Sequence, residues 1–315
     1  MNTTVLEAEH LTKRYGDLIA VNDLSLTVAE GEVLGLLGPN GAGKTTTINM
    51  LVGLMKPDSG KVTYRGQQLS GEDQGTINRV GVCLQEIVLW KKLTCLEQLQ
   101  FMGEMYGVGS QEARQRGKTL LGVLELSEKQ DKCAGTLSGG MQRRLNLAMS
   151  LVHDPQVLVL DEPEAGLDPQ SRVLVREYIQ SLVHQKTIIL TTHNMDEAER
   201  IAHRVAIIDQ GRLLVMDTPD ALKANVGEGD VVEINVSDGL PDKEGIRQAL
   251  LSLAEDVSVN FTGNEIMVRA RQIVNLLPAL MRRLDAEGVD ISGIHIRGNT
   301  LEDVFIQLTG RRLRQ

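Results

Sequence analysis

Aromatic residues and long apolar segments are scarce in this sequence of 315 residues. Phe, Trp and Tyr together make up 3% of the chain, so a core must be built from Leu, Val, Ile, Ala and Met. No uninterrupted apolar run approaches the ~20 residues of a membrane-spanning helix. Residues 1–10 lack the basic start and apolar stretch of a secretory signal. We therefore expect a chain that is soluble by itself.

Cysteine and excess positive charge are also in short supply. Cys83, Cys95 and Cys133 have neither metal-ligand spacing nor the even number of a disulfide framework, so we expect reduced, core-like residues. The formal net charge is -9. An acidic chain lacks the basic footprint that attracts DNA, RNA or anionic lipid. No nucleic acid is therefore expected among its partners.

Short apolar runs separated by helical stretches dominate the first two thirds of the chain. This alternation predicts an α/β fold whose central sheet is parallel in the middle and buried on both faces. Residues 27–28 and 61–64 alternate polar with apolar and indicate an antiparallel edge. A helical insert is predicted over about residues 95–153. The runs that predict the central strands are residues 33–37, 157–160, 187–190 and 205–208.

The pattern changes near Asp217, and residues 227–230 have the composition of a joint. We predict one domain over residues 1–225 and a second over 226–315. The order in the second is strand, helix, two strands, helix, strand and a closing helix, which suits a small α+β domain of ferredoxin-like type. Its elements are predicted at residues 231–236, 243–253, near 257, 265–268, 273–284, 291–296 and from 301.

A complete G-x-x-x-x-G-K-[ST] motif follows the first central strand and leads into a helix, which is the context that this phosphate-binding motif requires. Its glycines let successive N–H groups point at phosphate oxygens, and the helix adds the positive end of its dipole. Lys44 would neutralise the β and γ phosphates, and Thr45 would offer its hydroxyl to Mg²⁺. The motif consists of Gly38, Pro39, Asn40, Gly41, Ala42, Gly43, Lys44 and Thr45.

Two carboxylates, Asp161 and Glu162, end the strand at residues 157–160, where ligands of open α/β sheets bind. Asp161 can hold the shell of Mg²⁺ through water, and Glu162 can orient or deprotonate the water that attacks the γ-phosphate. His193 follows another strand and can donate to that phosphate, although a lone histidine is more often structural. Gln85 can reach either the metal or the attacking water. These residues are the predicted catalytic group.

A second glycine pair, Gly139 and Gly140, follows Ser138 and opens a helix. Ser138 is a good N-cap, and the glycines leave N–H groups open to an anion. The segment is thus a candidate second phosphate site, or an ordinary glycine-rich helix start.

Taken in order, these motifs resemble the ATP-binding subunit of an ATP-binding cassette (ABC) transporter over about residues 4–220. The resemblance implies ATP and Mg²⁺ as cofactors, ATP hydrolysis, and a head-to-tail homodimer in which residues 138–141 of one copy close on the γ-phosphate held by Lys44 of the other. The residues that carry it are Tyr15, the loop from Gly38 to Thr46, Gln85, Ser138, Gly139, Gly140, Met141, Asp161, Glu162, Asp168 and His193.

The resemblance also implies individual roles and partners. Tyr15 would stack on adenine, and Asp168 would lie in a loop that communicates across the dimer. The other partner would be an integral membrane permease, which would keep the subunit on the cytoplasmic side of a bacterial or archaeal cell membrane. Residues 86–93 are the candidate contact with it, although Trp90 could equally belong to the core.

Two positions depart from the usual family pattern. Met141 replaces a glutamine, and with the following Gln142, Arg143 and Arg144 it is similar to the ABC-2 group, which includes daunorubicin-resistance ATPases. Glu164 replaces a threonine, and could slow turnover or face solvent. Residues 299–310 resemble the closing helix of the extra domain of ABC-2 ATPases, while Arg311, Arg312 and Arg314 form a basic tail. The predicted role is therefore to power export of a drug, lipid or other amphipathic cargo.

Two alternatives use the same ATP site. ATPases of chromosome maintenance, DNA repair or ribosome rescue would need coiled-coil arms, zinc-site cysteines or a second cassette, and the sequence has none of these. The other alternative is a module that closes on ATP but hydrolyses it very slowly. It stays open because Glu164 could slow turnover.

Overall fold

The computed structural model describes residues 3–69, 79–183, 185–225, 229–237, 240, 242–271 and 273–310. The chain divides into two compact units, of which the first ends at Pro219 and the second begins at Asp220. The domain boundary predicted from the sequence lies after residue 225. Residues 227 and 228 of the predicted joint, and Arg311, Arg312 and Arg314 of the predicted tail, lie outside the described residues.

A six-stranded mixed sheet forms the centre of the first unit. Five strands are parallel, and the edge strand β10 runs antiparallel to β9. Every residue of β3, β7 and β8 is buried, as expected for strands covered on both faces. The predicted parallel centre is thereby confirmed. In spatial order the strands are β10 (Arg212–Asp217), β9 (Arg204–Asp209), β3 (Val33–Leu37), β8 (Thr187–Thr192), β7 (Val157–Asp161) and β6 (Val80–Cys83).

The strands predicted as an antiparallel edge do pair antiparallel, but they form a separate sheet and not an edge of the central one. Its order is β2 (Leu18–Ala29), β1 (Thr4–Tyr15), β4 (Ser59–Tyr64) and β5 (Gln67–Gln68), all antiparallel. One face is apolar, and Leu24 and Leu26 of β2 share a core with Ile48 and with Leu34 of the central sheet. Alternation reveals a one-sided strand, but it does not reveal which sheet the strand joins.

The part of the first unit that the structure describes also contains six α-helices. The insert contains α2 and α3, where Thr94 and Glu97 form a capping box at the start of α2. Ser138 caps α4, Asp168 caps α5 and Asn194 caps α6, each through its side-chain oxygen. These caps fix the helix ends that lie beside the candidate site. The helices are α1 (Lys44–Leu51), α2 (Cys95–Met105), α3 (Ser110–Val123), α4 (Gly139–Leu151), α5 (Pro169–Ser181) and α6 (Met195–Ile201).

The second unit confirms the predicted ferredoxin-like order. Helix α7 (Pro219–Asn225) leads into an antiparallel sheet whose spatial order, counted along this unit, is second, third, first, fourth. Residues of α8 and α9 share the apolar core with the buried residues of the sheet. The remaining elements are β11 (Asp230–Val236), α8 (Lys243–Leu251), β12 (Ser258–Thr262), β13 (Glu265–Ala270), α9 (Ile273–Ala286), β14 (Ile291–Arg297) and α10 (Leu301–Thr309).

The three cysteines are free thiols, with Cys83 and Cys95 buried and Cys133 partly exposed. Within the described ranges, no group of His, Cys, Asp and Glu side chains has the arrangement of a metal site. Among those same residues, no helix combines the length and apolar character needed to span a membrane.

Candidate nucleotide site

The glycine-rich loop runs from the end of β3 to the start of α1 and is tightly enclosed by the backbone. A Cβ atom on Gly43, whose φ is 101°, would lie 2.4 Å from the carbonyl oxygen of Ala20. On the same side, the turn between β9 and β10 supports the loop, because the N–H of Gly211 donates to the carbonyl of Ala42 at 2.9 Å. A larger residue than glycine does not fit at Gly43.

Lys44 begins α1 and is buried. Its Nζ atom donates to the carbonyl oxygens of Gly38 at 2.7 Å and Pro39 at 3.1 Å. Burial lowers the pKa of Lys44, and the charges of Glu162 and Asp161 oppose that shift. The structure thus places one ammonium group beside two carboxylates, at a loop shaped for phosphate.

Thr45 and Asp161 meet across the site although 116 positions separate them. The hydroxyl of Thr45 donates to Oδ2 of Asp161 at 3.0 Å, and the hydroxyl of Thr191 donates to Oδ1 of the same carboxylate. Hydroxyl and carboxylate oxygens are the ligands that Mg²⁺ prefers. The donor set therefore fits this ion, and Thr191 fixes the carboxylate from behind.

Glu162 lies between the other two predicted catalytic residues. Its Oε2 atom accepts from the Gln85 amide at 3.3 Å, and its Oε1 atom lies 3.1 Å from Nδ1 of His193. Glu162 has a φ of 49°, a conformation that is uncommon outside glycine and often found at functional sites. Its N–H is held by the hydroxyl of Thr191 at 3.0 Å. The chain thus aims a carboxylate at the mouth of the phosphate loop.

A cavity of about 640 Å³ contains most of the predicted ATP-binding residues. Tyr15 is half exposed at one end, with its hydroxyl 3.1 Å from the sulfur of Met55. Ala42 is buried beneath the loop rather than facing the cavity. Sequence reasoning missed four residues of the lining, Leu18, Ile19, Ala20 and Gln210, because nothing local relates β2 or the β9–β10 turn to the loop. The lining comprises Tyr15, Leu18, Ile19, Ala20, Asn40, Gly41, Gly43, Lys44, Thr45, Thr46, Gln85, Glu162 and Gln210.

The second glycine motif lies outside this cavity. Ser138 accepts from the N–H of Met141 at 3.3 Å and so caps α4. A Cβ atom on Gly139 would meet nothing within 4 Å, whereas one on Gly140 would lie 3.4 Å from Oδ2 of Asp168. Asp168 accepts from the N–H of Ser171 at 3.0 Å, and this hydrogen bond lowers its pKa. The structure therefore brings Asp168 to the second motif and leaves an open surface at Gly139.

Glu164 does not face solvent, which corrects one of the two expectations for this residue. It is buried, and both oxygens accept from the guanidinium of Arg176, at 2.9 and 2.6 Å. Glu197 interacts with Glu164. Burial, and secondly the hydrogen bond to Glu164, raise the pKa of Glu197 to about 7. Both acids line a small cavity of about 170 Å³ that also contains Glu162 and His193.

Trp90 is 40% exposed and packs edge to face on Phe101, with ring centroids 5.1 Å apart. Its neighbours Ile87 and Val88 are exposed as well. The segment that follows Gln85 therefore presents apolar side chains at the surface.

The fold and the loop together define a P-loop nucleotide-binding cassette, and comparison with known proteins gives the family. The model of the ABC transporter family matches residues 21–165. The chain is 41% identical to the Nod factor export ATP-binding protein I of Ralstonia nicotianae, covering 99% of this chain and 96% of the relative. It is 37% identical to a daunorubicin resistance ATP-binding protein of Streptomyces coeruleorubidus, covering 99% and 97%. The chain belongs to the family of ATP-binding subunits of ABC transporters.

Solved structures agree with this assignment. The structure of an ATP-binding subunit of an ABC transporter superposes with a TM-score of 0.65 at 28% identity, covering 70% of this chain and 92% of that one. A dimeric bacterial ABC transporter cassette gives a TM-score of 0.63 at 25% identity, covering 68% and 98%. The chain is thus an ATP-binding ATPase of the ABC transporter class, whose solved cassettes include a dimer, and one of its relatives is named for daunorubicin resistance.

Proposed function

We propose that this chain is the ATP-hydrolysing subunit of an ABC-2 type exporter. It would hydrolyse ATP as a homodimer and drive a separate membrane permease. The observation that carries the proposal is the position of Glu162, whose carboxylate contacts Gln85 and His193 beside Lys44 of the phosphate loop. In this arrangement Glu162 accepts a proton from the attacking water, and Gln85 and His193 orient the water and the γ-phosphate.

Lys44 and the loop N–H groups stabilise the charge on the transferring phosphoryl group. Mg²⁺, held by Thr45 and through water by Asp161, would neutralise part of the charge on the triphosphate when bound. Tyr15 supplies a face for the adenine ring.

The site is completed by a second copy. The four residues from Ser138 to Met141 lie outside the cavity of their own chain, with an open surface at Gly139. They would cover the γ-phosphate held by the partner copy. ATP binding would then join the two copies and hydrolysis would part them, moving the permease between its inward and outward states.

The permease contact is proposed at residues 86–93, which continue from Gln85 and expose apolar side chains. A subunit bound there lies on the cytoplasmic side of the cell membrane. Two relatives are named for export of Nod factor and for resistance to daunorubicin. We therefore propose a drug, lipid or other amphipathic compound as the cargo.

Copurification from native membranes tests the partner. The tagged full chain should recover a protein with several membrane spans, and Trp90→Ala should reduce the recovery. Leu214→Ala is the matched control, because Leu214 is 38% exposed on β10, at the opposite edge of the central sheet from β6. Recovery with ribosomes or nucleic acid would favour the non-transport ATPases instead.

The rate of ATP hydrolysis by the intact complex tests the other alternative. A complex without measurable hydrolysis would favour a module that only closes on ATP, although the pairing of Glu164 with Arg176 argues against that role.

A further inference from the structure

Arg143 lies on the first turns of α4, just after the Ser138–Met141 motif, and is buried. A guanidinium group has five N–H donors. In this protein all of them donate to backbone carbonyl oxygens, at distances between 2.5 and 3.4 Å. The accepting carbonyls belong to Leu84, Gln85, Asp161, Glu162 and Pro163.

These five carbonyls come from two chain segments that carry the reacting side chains. Leu84 and Gln85 follow β6, whereas Asp161 ends β7 and Glu162 and Pro163 come directly after it. The side chain of Gln85 donates to that of Glu162 at 3.3 Å. One arginine therefore joins the helix of the second glycine motif to the backbone that aims the catalytic pair.

We propose that Arg143 is a positioning residue, which acts through Gln85 and Glu162 and ties the two nucleotide sites of the dimer together. The proposal rests on the proposed function. Glu162 serves the nucleotide of its own copy, while the glycine motif before Arg143 serves the nucleotide of the partner. A displacement of either segment is therefore passed to the other through one rigid, planar group.

The chemistry of arginine is needed because its donors form a fixed fork. A lysine at this position has three donors on one nitrogen and cannot satisfy both segments together. Arg143→Lys keeps the positive charge. A loss of ATP hydrolysis in this variant is therefore caused by the changed hydrogen-bond geometry and not by the loss of charge. We expect kcat for ATP hydrolysis by the full chain to fall on the order of a hundredfold, the effect of a small misplacement of reacting groups. The KM for ATP should change by less than about threefold.

Arg144→Lys is the matched control. Arg144 is the next residue of α4, is buried, and donates to the carbonyl of Leu124 at 2.8 Å, away from the reacting segments. Its kcat should stay within about twofold of the unaltered chain. Thermal unfolding and affinity for a non-hydrolysable ATP analogue should match between the two variants. If Arg143→Lys retained kcat, or lost kcat only together with ATP affinity and stability, the positioning role would be overturned.

Mixed dimers test the link between the sites. With Lys44→Ala in one copy, only one nucleotide site can turn over. Adding Arg143→Lys to either copy should lower the remaining activity. Impairment confined to the copy with the intact Lys44 would overturn the link. Absence of ATP hydrolysis by the unaltered complex would instead overturn the proposed function, so the two failures are distinguishable.

Discussion

Glu164 and Arg176 form a bidentate ion pair, with both carboxylate oxygens accepting from the guanidinium at 2.9 and 2.6 Å. The carboxylate side chain is 3% exposed and the guanidinium side chain 19%. Glu164 lies two residues after Glu162, and the pair ties the segment between β7 and α5 to α5 itself. The ion pair thereby gives a physical reason for the acid at a position where a threonine is usual.

Removing only one partner should destabilise the chain. Glu164→Thr leaves the Arg176 charge poorly solvated, and we expect the free energy of unfolding to fall by about 3 kcal/mol. Urea unfolding of the full chain measures it. Arg176→Met is the second arm of a double-mutant cycle, and the double variant should lose much less than the sum of the single losses. Additive losses would show that the pair contributes nothing.

Glu197 should make stability depend on pH. Its pKa is raised from 4.5 to about 7 in the folded chain by burial, then by its hydrogen bond to Glu164, while Thr192 and Arg176 oppose the shift. The folded state therefore holds a proton that the unfolded state releases, so this contribution to stability is complete below pH 4.5 and is lost as the pH rises to about 7. Glu197→Gln should flatten the fall across that window. An unchanged pH profile of the free energy of unfolding would contradict this assignment.

Thr45 should set the magnesium requirement. Because its hydroxyl contacts Asp161 at 3.0 Å, Thr45→Ala removes one of the two oxygen groups that fit the ion. We expect the Mg²⁺ concentration for half-maximal ATP hydrolysis to rise by about tenfold. Thr46→Ala is the control, since Thr46 lines the same cavity and should leave the Mg²⁺ dependence in place. Equal shifts in the two variants would contradict a ligand role for Thr45.

Much of the fold could be predicted from local pattern. Apolar runs correctly predicted β3, β7 and β8, and the predicted order of strands and helices in the second unit is close to the observed order. The glycine-rich loop could be found because its spacing is set by phosphate geometry. The assignment of β1, β2 and β4 to a separate sheet could not be found, because strand pairing is a tertiary property.

Which charged residues are buried in the interior could not be predicted either. Arg143 and Glu164 are buried, whereas arginine and glutamate are mostly exposed unless paired. Their partners are five backbone carbonyls and Arg176. Backbone acceptors leave no mark in a sequence, and the spacing from Glu164 to Arg176 becomes meaningful only when α5 folds back beside β7.

The most direct test of the account is the rate of ATP hydrolysis by Glu162→Gln in the complete complex. The glutamine keeps the size of the side chain but cannot accept the proton, so turnover should fall by at least about a hundredfold. The variant should still bind ATP and accumulate as an ATP-bound dimer. Glu177→Gln, an exposed position on α5, should hydrolyse ATP normally. Undiminished hydrolysis by Glu162→Gln would contradict the central claim that this carboxylate is the base.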